Sequence, residues 1–471
     1  MFLGVLVFVV GMASLGAEIA GVRLLAPYFG ASTVVWANTT AVVLVALSIG
    51  YWLGGRSADR RPRIQPLCGV ALSAAALLGI VPFVARPLLD AGVNALDAVS
   101  AGAFVGSLLA VLVLIALPVL LLGMVSPWAL RIAVVSVEEA GTVAGRLYAL
   151  STAGSLVGTL LSALVLIPAV GTRNTFLIFA ICLAAVAAVG LRSRRAAGVP
   201  LVLVVLLAVP VGTIKPGTDG RVVYEKETPY QYARVIQSTD GERRLELNEG
   251  HAVHSLYRPG TVLTGDYWDA MRADASAGGR TPRGVAILGN AAGTTAREFH
   301  VLDPTTRLDP VEIDPELTAI GQRWFGLPRS IRVHHEDARP FLRRRPDQRW
   351  DAILIDAYRQ PYIPFYLVTK EFFQLVRHRL TPKGVVVVNV GHPRGHDELE
   401  KAMTATMRAV FPEVRRDPTT PTNTILVGGD ELIGARLAAP LPGGDVYTDD
   451  RAPVEWLIDR SLVEYAAADG S

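Results

Sequence analysis

The chain has 471 residues, of which 51% are hydrophobic and 18% charged. A mean hydropathy of +0.38 is too apolar for an ordinary soluble protein, while the charged share is too large for a bundle buried wholly in lipid, so two parts of opposite character are expected. The formal net charge of +3 leaves no electrostatic footprint for nucleic acid, and the two cysteines, Cys68 and Cys182, sit in apolar runs, which argues against a disulfide framework or a zinc site.

Apolar stretches long enough to span the hydrocarbon layer, roughly 20 residues, lie near 2–26, 36–55, 66–86, 102–126, 146–170 and 174–191. A seventh, 199–214, is marginal and holds Pro200 and Pro210. The first has no basic leader and is followed by more spans, the pattern of a membrane helix and not of a cleaved signal. The basic loops "GGRSADRRPR" and "RSRR" place the ends of the second and sixth stretches, and with them the N-terminus, on the cytoplasmic side. "GYWLGGRSADRRPR" resembles, over about a dozen residues, the loop between the second and third helices of major facilitator transporters, a pattern that serves any bundle with a basic loop. Glu18 and Arg23 are ionisable groups inside the first stretch and are expected to pair with each other or with a neighbouring helix. In "STAGSLVGT", Gly154 and Gly158 have the spacing that lets two helices approach closely.

After "KPGTDG" short apolar runs alternate with amphipathic stretches. The expected organisation is a multi-pass transmembrane domain of six to seven helices over 1–214, a linker with a small β region over 215–282, and an α/β doubly wound, Rossmann-like domain over 283–471. "YARVIQS" and "RRLELN" read as strands of a hairpin. Further strands are expected at "GVAILGN", "RLDPVEI", "IRVHHE", "WDAILID", "GVVVVNV" and "TILVGG", with helices between several of them, and a ligand belongs at the carboxyl ends of such strands.

Those ends carry the candidate site. "VAILGNAAGTTAREF" reads as a strand, a tight turn with Gly289 and Gly293, and a helix start, which is how doubly wound folds bring backbone N–H groups to a nucleotide-like ligand. Glu312 stands at the tip of the next strand, about 20 residues on, where a carboxylate accepts from ribose hydroxyls. Asp337 follows the third strand, suited to an adenine amino group, and Asp356 ends the fourth, aimed at the same crevice. An Asp before a helix is also a favoured N-cap, but three acids in register point to a nucleoside. His251 with His254, and His334 with His335, lack a third metal ligand and read as surface or hydrogen-bonded histidines. The arginines at 343–345 read as a solvated helix end, and Thr369 as the cap of a helix whose preceding aromatics either wall the acceptor pocket or pack.

From about Tyr230 to Leu380 the motifs "TPYQYARV", "ILGNAAGTTARE", "VEIDPEL", "EDARPFL", "LIDAY" and "TKEFF" resemble the spermidine synthases, or polyamine aminopropyltransferases, in their membrane-fused branch. The resemblance implies a fold of the S-adenosylmethionine-methyltransferase type and decarboxylated S-adenosylmethionine as co-substrate, with no permanently bound cofactor. It puts Gln231 at the sulfonium side, Glu312 and Asp337 on the nucleoside, and Asp356 in the catalytic position. An amine attacks a carbon bound to sulfonium only with a free lone pair, so a carboxylate that takes or orients the proton belongs there. The sulfonium is already a good leaving group, so no metal is required.

Two departures bear on the acceptor. The family's Gly-Gly-Gly-Asp-Gly-Gly turn is here "GNAAGT", with Ala292 at the Asp, and its second acid after the fourth strand is replaced by Arg359. A diamine is then expected to bind poorly unless Glu249 or Asp269 supplies charge, and acids restored together at 292 and 359 are expected to raise its turnover. The reading is a membrane-anchored aminopropyltransferase with nucleoside and amine substrates, the lipid bilayer and a second copy of the chain as candidate partners, and the soluble domain on the cytoplasmic side. The alternatives are an S-adenosylmethionine-type transferase with a different acceptor, and a transporter or scaffold whose soluble domain senses a nucleoside.

Overall fold

The apolar runs of the first 200 residues can satisfy their backbone groups only within themselves if they meet lipid, and the described residues there are mostly helical. The computed structural model describes residues 1–30, 33–97, 102–209, 214–215, 217, 219–248, 250, 252–358, 362–434 and 437–469. The chain divides into two units, Met1–Lys215 with Glu227–Tyr232, and Pro216–Lys226 with Ala233–Ser471.

The helices of the first unit are α1 (Phe2–Phe29), α2 (Thr33–Arg60), α3 (Ile64–Asp97), α4 (Gly102–Leu114), α5 (Ala116–Ala133), α6 (Ala140–Leu161), α7 (Ile167–Leu191) and α8 (Arg194–Ala208). The runs Phe2–Phe29, Thr33–Arg60, Ile64–Leu89, Ala116–Ala133 and Ala140–Leu191 are long and apolar enough to cross a membrane. Helices α4 and α5 continue one another, since Ile115 donates to the Val111 carbonyl at 2.8 Å and accepts from Val119 at 3.1 Å, so the fourth stretch extends past the expected residue 126 to Ala133. Helix α6 passes through a π-helical turn, Ser162–Leu166, into α7, and the path breaks at Gly171 (φ 82°, ψ 166°), which separates the fifth stretch from the sixth.

Glycine sets the closest approaches in this unit. A Cβ added at Gly154 or Gly158 of α6 would collide with the carbonyls of Phe8 and Met12 on α1, and one at Gly50 or Gly54 of α2 with those of Leu120 and Met124 on α5. Glu18 is buried and accepts from the Thr40 hydroxyl of α2 at 2.7 Å, so its partner is on a neighbouring helix.

In the second unit β1 (Arg221–Glu227), β2 (Tyr232–Gln237), β3 (Arg243–Leu247) and β4 (Val253–Tyr257) form one sheet in the order β1-β2-β3-β4, two strands more than the expected hairpin. A six-stranded sheet follows, from β5 (Gly284–Leu288), β6 (Arg307–Val311), β7 (Trp350–Ile355), β8 (Leu380–Gly391), β9 (Glu413–Thr420) and β10 (Asn423–Gly429), in the order β6-β5-β7-β8-β10-β9. Strands β6, β5, β7 and β8 are parallel, and β10 runs antiparallel to β8 and β9. The helices are α9 (Tyr267–Asp274), α10 (Thr294–Leu302), α11 (Pro315–Trp324), α12 (Ala338–Arg343), α13 (Lys370–Arg379), α14 (Glu398–Arg408) and α15 (Val454–Asp469).

The central strands are apolar on both faces because both are covered. Alternate residues Leu288, Ile353, Ile355, Val386 and Val388 pack with Phe341, Phe372 and Met403 on one side. Their neighbours Ile287, Ala352, Leu354 and Val387 pack with Trp268, Met271 and Phe299 on the other. Two expectations differ. "IRVHHE" makes a single parallel bridge, Val311 to His334, because the chain then turns to present Asp337 as the cap of α12. Strand β9, charged and holding Pro418, lacks an apolar alternation and was not expected; as the outermost strand it tolerates both.

Candidate active site

Parallel register builds the site. Leu288 of β5 pairs with Val311 of β6 and Ile355 of β7, so the residues that follow, Gly289, Glu312 and Asp356, leave the sheet side by side at its carboxyl end. Gly289 donates to the Val311 carbonyl at 3.0 Å and Asp356 to the Leu288 carbonyl at 2.8 Å. Gly289 has φ 91°, and a Cβ there would run into the backbone of Asp356 and Ala357, so glycine is required. The turn continues through Ala291 (φ 45°) to Gly293 (φ 87°), the residue before α10.

Glu312 is buried beneath this turn. One carboxylate oxygen accepts from the Ala291 N–H at 2.8 Å and the other from Asp314 N–H at 3.0 Å. A carboxylate has about four acceptor positions, so capacity is left for a ligand's hydroxyls. Burial pushes its carboxyl up to about 7, against the pull of the backbone donors of Asp314 and Ala291.

Asp356 stands at the centre of a neutral network. Oδ2 accepts from the Tyr267 hydroxyl at 3.2 Å and Oδ1 from the Asn389 amide at 2.8 Å. Asn389 in turn accepts from the Asn423 amide at 2.9 Å, and the Tyr358 hydroxyl donates to the Asn389 carbonyl at 3.2 Å. Burial lifts Asp356 to about 7, with the Asn389 and Tyr267 hydrogen bonds opposing it. Tyr267, raised well above its ordinary value by burial and then by the Asp356 charge, remains a hydrogen-bond donor.

Asp337 caps α12 by accepting from Arg339 N–H at 2.9 Å, and its other oxygen accepts from the Tyr366 hydroxyl at 2.6 Å. The polypeptide carrying it is tied to β6, since Glu312 N–H donates to the His334 carbonyl at 3.0 Å. Gln231 lies in the turn between β1 and β2, buried, with its N–H on the Thr228 hydroxyl at 3.0 Å. Thr369 caps α13 through the Phe372 N–H, 3.3 Å away. Among the described residues no three His, Cys, Asp or Glu side chains gather as a metal site, and His334 and His335 rest against Asp309 and Thr318. Two of the arginines at 343–345, Arg344 and Arg345, pair with Glu336.

The geometry corrects two ideas about the acceptor. Ala292 is fully buried in an apolar cluster with Val235, Leu245, Leu317 and Phe325, so an acid at 292 would enter that cluster. Asp269 is held in place and is not free to swing toward an acceptor: its carboxylate accepts from the N–H and hydroxyl of Thr264 at 2.9 and 2.7 Å and from Gly265 N–H at 2.8 Å. Arg359, Glu249 and His251 lie outside the described residues. Tyr267 and Asn389 escaped the sequence reading. Tyr267 carried no signal in "TGDYWDAM", but Asn389 did, as one amide in the otherwise apolar run "VVVVNV".

Residues 275–429 match the family described as spermine/spermidine synthase domain. A probable polyamine aminopropyl transferase of Bifidobacterium longum is 32% identical over 225 residues, 46% of this chain and 50% of that protein. A polyamine aminopropyltransferase of Vibrio vulnificus is 35% identical over 136 residues, 28% of this chain and 44% of that protein. The chain thus spans about half the length of these relatives. The crystal structure of a probable spermidine synthase from Corynebacterium glutamicum aligns with 44% of this chain and 80% of its own, at 25% identity and a TM-score of 0.39.

Proposed function

We propose that this chain, whose residues 275–429 match the spermine/spermidine synthase domain, is a membrane-anchored aminopropyltransferase using decarboxylated S-adenosylmethionine and an amine. The observation that carries this reading is Asp356, a carboxyl raised to about 7 at a strand end, held by a tyrosine hydroxyl and an asparagine amide and adjacent to the Gly289 turn. A base near neutrality is suited to an amine that must lose a proton.

In this reading Glu312 accepts from the ribose hydroxyls, Asp337 receives the adenine amino group, and the Gly289–Gly293 turn passes along the nucleoside. The amine nitrogen attacks the propyl carbon bound to sulfonium. The C–N bond forms, the C–S bond breaks with its electron pair going to sulfur, methylthioadenosine leaves, and Asp356 takes the proton from nitrogen. Tyr267 and Asn389 hold the carboxylate in line and stay neutral throughout.

Tyr267 and Asn389, which reach Asp356, are neutral, and position 292 is sealed in an apolar cluster, which favours an acceptor other than a dication. The test is methylthioadenosine release by the full chain in detergent, with decarboxylated S-adenosylmethionine and putrescine or propylamine. Release with propylamine and not putrescine supports a changed acceptor. Nucleoside binding without release from any amine sinks the transferase and leaves a nucleoside-sensing domain.

A further inference from the structure

The walls of one cavity, about 590 Å³, include Asp337, Arg339, Arg343, Phe365, Tyr366 and Asp449, a size within the roughly 300–1,000 Å³ of small-molecule sites. Tyr366 stands on the loop between β7 and α13, and its hydroxyl donates to Asp337 Oδ2 at 2.6 Å while Oδ1 accepts from Arg339 N–H at 2.9 Å. A carboxylate has about four acceptor positions and no donor, so Asp337 keeps capacity only for groups that bring an N–H or O–H. The loop is fastened at Tyr366. Arg339, buried in α12, donates to the Tyr366 carbonyl at 3.1 Å and forks onto the Asp449 carboxylate at 2.8 and 2.6 Å. Asp449 also accepts from the hydroxyl of Thr369, the cap of α13, at 2.7 Å. Next to Tyr366, Phe365 meets its ring edge to face with centroids 5.5 Å apart and is 51% exposed, an apolar surface on which a planar base can lie.

We propose that Tyr366 is a specificity-determining residue for the base: by donating to Asp337 it holds the carboxylate so that a purine is accepted with an amino group at C6 and refused with a carbonyl oxygen there. The inference rests on Asp337 as the partner of the adenine amino group. An amino group donates to the carboxylate. A carbonyl oxygen in its place sets lone pairs against lone pairs, and a site built for a donor rejects the analogue that lacks it far more strongly than apolar contact does. Without the Tyr366 hydroxyl, Asp337 keeps the bond from Arg339 N–H and loses the one on its other oxygen, so the carboxylate turns more freely and discrimination falls.

Calorimetry on the full chain in detergent tests this with methylthioadenosine and methylthioinosine, which carry an amino group and a carbonyl oxygen at C6. The wild type should prefer methylthioadenosine by about 10²-fold or more. Tyr366→Phe and Tyr366→Leu, neither of which can donate, should lose about 10-fold or more in affinity for methylthioadenosine and leave the weaker binding of methylthioinosine unchanged. Tyr366→Gln, whose amide can still donate to Asp337, should recover part of the preference. Glu312→Gln is the control: both nucleosides bring the same ribose, so it should weaken the two alike. Tyr366 variants that weaken both nucleosides equally, or neither, while Glu312→Gln weakens both, overturn the role of Tyr366 and leave the nucleoside reading standing. A wild type that binds neither nucleoside overturns that reading and the role of Tyr366 with it.

Discussion

The Tyr267 hydroxyl donates to Asp356 across 3.2 Å, linking α9 to the end of β7 over 89 residues of sequence. Because that bond stabilises the charged carboxylate, its loss raises the Asp356 pKa further. Tyr267→Phe should therefore move the acid limb of the kcat/KM profile, centred near pH 7 in the wild type, to higher pH, and slow neutral turnover about 10-fold. Asp356→Asn should lose roughly 10²-fold or more with nucleoside affinity intact. An acid limb that stays in place in Tyr267→Phe would remove the hydrogen bond from the mechanism.

Glu312→Gln should weaken methylthioadenosine binding by about 1–3 kcal/mol, the range for losing a charge-assisted hydrogen bond, as read by calorimetry on the full chain. The same residue sets a stability slope. Its folded carboxyl is raised from 4.5 to about 7, so its contribution is fully present below 4.5 and is lost as pH rises through about 7. Melting temperature should fall across that window in the wild type and fall less in Glu312→Gln. Asp356, raised from 3.8 to about 7, and Glu298, raised from 4.5 to about 9, contribute to the slope that remains. Unchanged affinity would mean that the ribose lies elsewhere.

Ala292→Asp should fail as a route to diamine specificity. The new carboxylate would be buried among Val235, Leu245, Leu317 and Phe325 with no partner provided for it, a cost of several kcal/mol, about 3 or more. Thermal melting should show the loss, and putrescine turnover should not rise, with or without Arg359→Asp. A stable variant with enhanced putrescine use would mean that the turn can rotate residue 292 into the crevice.

Helix α8, at 15 residues, rises only about 22 Å, short of the roughly 30 Å of a hydrocarbon core. With six longer spans ahead of it and basic loops inside, the C-terminus is expected in the cytoplasm. A C-terminal fluorescent-protein fusion should be bright and an alkaline phosphatase fusion inactive; the reverse pair of results would make α8 a seventh crossing.

Much of the site's geometry was legible because parallel sheets write it in spacing. A glycine turn after β5, an acid about 20 residues on and another after β7 must converge once those strands are neighbours, and Gly289, Glu312 and Asp356 do. What spacing cannot carry is a contact from outside the strand-turn-helix repeat. Tyr267 comes from a short helix ahead of β5, and its identity as a partner of Asp356 depends on how α9 packs, not on any local pattern. The burial of Ala292 was hidden for the same reason, since the side chains around it come from β2, β3 and α11. At the other extreme, "IRVHHE" had the alternation of a strand but only one bridge, because the sheet edge and the need to cap α12 decided its path.

The glycine seam between α1 and α6 has a consequence for biosynthesis. The Ser155 hydroxyl donates to the Gly11 carbonyl across 144 residues of sequence, so α1 meets α6 only after the helices between them have been translated. At about 5–20 residues per second that interval is roughly 7–30 s. During it the small-residue face of α1 stands without the surface it fits, and the helices made in between, α2 to α5, are what the unit has to shield that face.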